Sequence, residues 1–140
     1  MRRSLFILLI TTIIFSCQEN QDPYDEFPQT WKIAGWQRIG FAGDSGFQSV
    51  TDSSYTYLFK KDGSFLKTVG DDSIIGFFEK EELIYEVGGK STHYKLFFPE
   101  DRLRNSCSAN LEYLTIEENG MLVGGSAPCD GPSIYLALVK

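Results

Sequence analysis

The chain has 140 residues, 42% hydrophobic and 23% charged, which supplies one domain with ample material for a core. Thirteen basic residues against nineteen acidic ones leave a net charge of −6, which repels phosphate backbones and argues against nucleic-acid binding. One histidine and three cysteines at wide spacing do not make a zinc site, and no cofactor fingerprint is present.

The first element is not part of the fold. Arg2 and Arg3 form a positive n-region, followed by an apolar run from Leu5 to Phe15 that only Thr11 and Thr12 interrupt. A membrane span needs about 20 apolar residues, so the run reads as a secretory signal peptide. It ends Ile14-Phe15-Ser16-Cys17, which resembles the lipobox of bacterial lipoproteins. The resemblance implies a thioether-linked diacylglycerol on Cys17, cleavage before it, and acylation of the new amino terminus by a palmitate-type chain. The expected division is a signal peptide at 1–16, a lipid-anchored acidic tether at 17–29, and a folded domain at 30–140. Loss of both arginines takes the mature net charge to −8, with eleven basic residues against nineteen acidic. Gln18 stands where an aspartate would imply inner-membrane retention, so the expected location is the outer membrane. The acidic run after the anchor also resembles surface-export signals, which leaves both the periplasmic face and the cell surface open.

Cys107 and Cys129 remain as an even pair in a chain bound for an oxidising compartment, and a disulfide is expected. It closes a loop of about 23 residues, worth roughly 3 kcal/mol in the chain-entropy picture.

Beyond the tether the pattern is strands and turns. The expected strands are 30–39, 53–60, 64–69, 74–80, 82–87 (joined tightly to its predecessor at Glu81), 91–98, 111–118, 121–125 and 133–140. Lys61-Asp62-Gly63-Ser64 and Asn119-Gly120 carry hairpin-turn chemistry. Residues 40–52 form a Gly- and Ser-rich loop, 99–110 is irregular, and 126–132 is a second loop. Short sequential connections favour an all-β antiparallel meander of about eight or nine strands, closed into a barrel to hide its edges. A two-sheet sandwich is the competing architecture.

An early Trp-containing strand, the "YLFKKDGSF" hairpin, a Gly-aromatic strand followed by "ELIYEV", and a short last strand resemble the small lipocalin-like domains of bacterial envelope lipoproteins. The resemblance covers about residues 30–140. It implies a barrel able to take a small apolar or amphipathic molecule. The last strand lacks the Arg-x-Tyr pair with which fatty-acid carriers clamp a carboxylate, so no particular ligand follows. Arg38, Arg102 and Arg104 lie outside the alternating strands, and no buried clamp is expected from them.

No catalytic set is expected. His93 sits in a strand pattern without a paired nucleophile, and Asp71-Asp72 and Glu81-Glu82 read as solvated turns. Gly70-Asp71-Asp72-Ser73 lacks the ligand spacing of a calcium loop. The aromatic residues Tyr55, Tyr57, Phe59, Phe77, Tyr85, Tyr94, Phe98 and Tyr113 take inward phases in this reading. In strand 111–118, Leu114 and Ile116 compete with Leu111 and Tyr113 for the inside. Tyr55, Tyr57, Phe77, Tyr85, Tyr94 and Tyr113 are the candidate ligand-lining set. Two functions stay open: a ligand carrier, or a solid barrel that acts through loops such as "GGSAPCDGP" (124–132) as a protein-interaction or hydrolase-inhibitor module.

Overall fold

A computed structural model describes residues 24–40, 43–51, 53–85 and 89–139. The signal peptide, Cys17, the tether up to Pro23, the end of segment 82–87 and Lys140 lie outside the described residues.

The strands in chain order are β1 (Gln29–Gln37), β2 (Ile39–Gly40), β3 (Gly43–Asp44), β4 (Gln48–Ser49), β5 (Thr56–Phe59) and β6 (Ser64–Val69). They continue as β7 (Asp72–Ile84), β8 (Lys90–Phe97), β9 (Leu111–Ile116), β10 (Leu122–Gly125) and β11 (Ser133–Val139). The helix among the described residues is a single 3₁₀ turn, Ala127–Cys129. Strands β1 and β5 to β11 pair antiparallel in sequence order, and β11 returns to β1 in a register from Thr30↔Val139 to Gln37↔Ser133. The sheet therefore closes into an eight-stranded meander barrel of lipocalin-like form. Closure rules out the open sandwich. The short strands occupy the expected 40–52 loop: β2 pairs β3, and β4 adds to β1 at Gly35 and Trp36.

The turns follow from their residues. In the β5–β6 hairpin Gly63 takes φ 79°, and the Asp62 carboxylate accepts bonds from the Ser64 amide (2.9 Å) and hydroxyl (2.6 Å). In the β9–β10 hairpin Gly120 takes φ 77°, and the Asn119 side chain accepts the Met121 amide at 2.9 Å.

The expected break at Glu81 is corrected. Residues 72–84 form one strand, with Glu81 opposite His93 inside an unbroken ladder from Phe77↔Phe97 to Ile84↔Lys90. The reason lies in its neighbour. Strand β6 accompanies β7 only as far as Phe77, so β7 projects past it and from Glu81 on is exposed on both faces. A charged run there costs nothing and imitates a turn.

Connections alternate between two ends. At one end lie Tyr24, the β5–β6 turn, Tyr85 with Gly89, and the Asn119-Gly120 turn; this is the tether end. At the other lie residues 38–55, 98–110 and 126–132, the loop end. Packing starts at Tyr24, within the expected tether. The Tyr24 ring stacks on Trp31 at 5.9 Å, and Phe27 meets Phe78 at 5.5 Å.

Gly76 faces inward opposite Phe65, whose ring lies over it. A Cβ at this position runs into both that ring and the Phe97 carbonyl oxygen. Gly76→Ala is expected to cost about 1–3 kcal/mol, read as a lowered thermal midpoint. An unchanged midpoint would mean the ring yields freely.

Candidate functional site

The barrel interior is occupied by its own side chains. Trp31, Tyr57, Phe59, Phe65, Tyr94, Leu96, Leu114, Leu122 and Leu136 are fully buried. Phe59 is the hub of a ring cluster, 4.9 Å from both Tyr94 and Phe78 and 6.1 Å from Tyr57. Toward the tether end, Gln29 satisfies the polar atoms of this cluster. Its side-chain oxygen accepts from Trp31 Nε1 and from the Tyr94 hydroxyl, each at 3.1 Å, and its amide donates to the Tyr24 carbonyl at 2.7 Å. A buried polar group needs such partners, because each one left unmade costs about 1–3 kcal/mol.

Toward the loop end the interior holds an ion pair. Lys67 on β6 and Glu112 on β9 meet at 3.0 Å, both side chains at 0% exposure. Glu112 also accepts the Tyr57 hydroxyl at 2.5 Å and the Asn105 amide at 3.4 Å. The Tyr55 and Tyr57 hydroxyls lie 3.2 Å apart, and the Lys67 ammonium sits over the Tyr57 ring at 4.7 Å. Burial pushes the Lys67 pKa down, opposed by the Glu112 charge beside it. Burial, and then the Glu112 charge, push the Tyr55 and Tyr57 phenols up. The cation of this network is Lys67, and the carboxylate it binds belongs to the chain itself. This network was missed in the sequence. The available signal was phase, because Lys67 shares a face with Phe65, and Glu112 shares one with Leu114.

The expected ligand-lining residues divide. Tyr57 and Tyr94 are inside and fully buried, with Tyr55 partly buried beside them. Phe59 and Phe98 also point inward as expected. Three inward phases are corrected. Phe77 (68% exposed) and Tyr113 (52%) lie on the outer face, and Tyr85 (48%) stands at the rim. Phe77 points out because its neighbours Gly76 and Phe78 take the inner side. Tyr113 points out because Glu112 and Leu114 claim the inside of β9, which resolves the ambiguity there in favour of Leu114.

The outward row Phe77–Phe97–Leu111 crosses three strands and, with Ile75 and Tyr113, forms an apolar patch on the barrel wall. Lys95 lies over the Phe97 ring at 5.1 Å. At the tether end an open groove of about 490 Å³ runs between Tyr24, Tyr85, Lys90 to His93, and Thr115 to Glu118. In its wall His93 Nδ1 and the Thr115 hydroxyl share a 3.0 Å hydrogen bond. At the loop end Cys107 and Cys129 are bonded, with Cα atoms 6.0 Å apart, joining the 98–110 and 126–132 loops. No group of three or more potential metal ligands gathers among the described residues. No family model, curated protein or solved structure matches the chain.

Lys67→Met strands the Glu112 carboxylate inside the barrel and is expected to cost about 3–5 kcal/mol in chemical denaturation. Lys67→Met with Glu112→Leu is expected to recover most of that loss. If the double variant is no better than the single one, the pair is not a coupled unit.

Of the seven tyrosines, Tyr55 and Tyr57 are held protonated first of all by burial. Their folded-state pKa lies above the unfolded value of about 10, so the stability they carry is complete below that pH and is lost as pH rises from there through the folded-state value. Tyrosinate absorbance is expected to show at least two groups that ionise only as the barrel unfolds. Smooth titration of all seven in the folded protein would contradict this burial.

Proposed function

We propose that this chain is a non-catalytic, lipid-anchored lipoprotein of the bacterial outer membrane, whose lipocalin-like barrel binds partners at its surface. Cys17 carries the anchor. The observation that supports surface binding over internal carriage is the filled interior, where Tyr57 and Tyr94 bond to chain groups instead of lining a void. An eight-stranded barrel has room either for its own side chains or for one small ligand, and here the side chains take it. Two surfaces are left for recognition: the disulfide-joined loop end, and the outer patch around Phe77. Contiguous exposed apolar area of the second kind marks interaction sites.

A second reading, an amphipathic small molecule, is favoured by the tether-end groove. Its volume falls in the usual ligand range, and its walls mix tyrosine rings with hydroxyl and charged groups.

Membrane fractionation and native mass spectrometry test both parts. Wild-type protein is expected in the outer-membrane fraction at its acylated mass, with no stoichiometric small molecule retained. Cys17→Ala is expected to leave that fraction or accumulate as precursor. A small molecule that stays bound through purification, and is lost in Tyr57→Phe, would reinstate the internal carrier.

A further inference from the structure

We propose that the tether end is a membrane-seating surface, in which the end of β7 from Leu83 to Tyr85 and the adjoining groove rest in the zwitterionic headgroup layer of the bilayer that holds the anchor. This rests on the lipid anchor at Cys17 and names the amphipathic occupant of the groove as bilayer lipid.

The argument starts from where the tether joins the barrel. The Tyr24 carbonyl accepts from the Gln29 side chain at 2.7 Å and from Lys80 Nζ at 2.8 Å, and Lys80 also pairs with Asp25. The Tyr24 hydroxyl lies against Gly120, where a Cβ would stand 2.8 Å from it. The chain is therefore pinned to one barrel end at residue 24. Seven residues separate Cys17 from Tyr24, a reach of at most about 24 Å. The acyl chains thus cannot lie far from this end, whatever path the tether takes.

The same end carries the apolar material. Beyond Lys80, β7 runs on to Ile84, four residues or about 13 Å further along the strand direction. Because β6 stops at Phe77, this stretch has no second neighbour to cover it. Leu83, Ile84 and Tyr85 stand exposed, Ile84 at 83%. Free in water, three successive exposed apolar residues are a liability. Set in an interface they gain from burial, and a tyrosine ring suits the headgroup level. Charge selects the lipid. Lys90 in the groove wall is paired with Glu82 at 3.0 Å, and Glu117 and Glu118 line the facing wall, so an anionic surface is disfavoured.

The test uses acylated protein purified from membranes and reconstituted into vesicles of brominated phosphatidylcholine. Intact mass first establishes the acyl group. Tyr85→Trp and Phe47→Trp replace rings of matched exposure, 48% and 47%, at the tether and loop ends. Wild-type emission from Trp31 and Trp36 is subtracted. The added tryptophan of Tyr85→Trp is expected to lose emission to the bromines, and that of Phe47→Trp to be unaffected. Leu83→Trp gives an independent reading if Tyr85→Trp does not accumulate. Acylated protein with neither tether-end probe quenched, or with Phe47→Trp quenched, overturns the seating alone. Stronger quenching on brominated phosphatidylglycerol overturns the zwitterionic assignment. Absence of the acyl mass overturns the anchor and the seating together.

Discussion

Pairing between β1 and β11 closes the sheet and fixes the radius into which every interior side chain must fit. Without that pairing, the barrel would present two open ladders as templates for other chains. With it, the inward positions of eight strands converge on one narrow column. Large rings fill the column, among them Trp31, Tyr57, Phe59, Phe65, Tyr94 and Phe98. Glycine becomes a packing residue under the same constraint. Gly76 exists because the Phe65 ring needs its space, and Gly124 stands in the same relation to Leu114.

Closure also explains why an ion pair survives inside. Lys67 and Glu112 come from strands β6 and β9, which lie across the barrel from one another and share no ladder. Their attraction spans the column directly, and the Asn105 amide ties the 98–110 loop to the same carboxylate. Such a pair contributes little net stability against an apolar pair of equal volume, because desolvation offsets most of the attraction. Its effect is on geometry. The Glu112 carboxylate takes bonds from Lys67, Tyr57 and Asn105, and few other arrangements of those three groups satisfy all of them. The loop end is thus held from within by this network and from outside by Cys107–Cys129.

The strands and turns were legible because their signals are local. Asp62-Gly63 and Asn119-Gly120 dictate hairpins from within four residues, and short connections imply a meander. Side-chain phase was less legible where chemistry and location part company. A rule that sends rings inward and charges outward inverts β9, where Glu112 is inside and Tyr113 outside. It also misplaces Phe77, because Gly76 beside it carries no hydrophobic signal while holding the true inward position. Both failures come from long-range facts. Glu112 is tolerated only because Lys67 lies 45 residues away, and Gly76 is demanded only by Phe65 on the next strand. The Glu81 break failed for a related reason: the length of β6 decides what β7 exposes, and no window on β7 contains that length.

The two ends of the barrel differ in a way that bears on recognition. At the tether end Tyr24 and Gln29 pack on Trp31, and the end of β7 projects past its β6 neighbour. The β7 edge beyond Phe77 carries Glu79, Glu81 and Glu82, charges that discourage pairing with another strand, while Lys80 is taken up by the Tyr24 carbonyl and Asp25. The loop end carries the long connections, where sequence change is cheapest and where a fixed scaffold most often places binding groups. The anchor proposed at Cys17 would lie within about 24 Å of Tyr24 and set these roles apart in space. In the proposed seating it would hold the end of β7 toward lipid and turn the disulfide-joined loops away from it. The filled core suits this arrangement, since a rigid column transmits the orientation fixed at one end to the surface presented at the other.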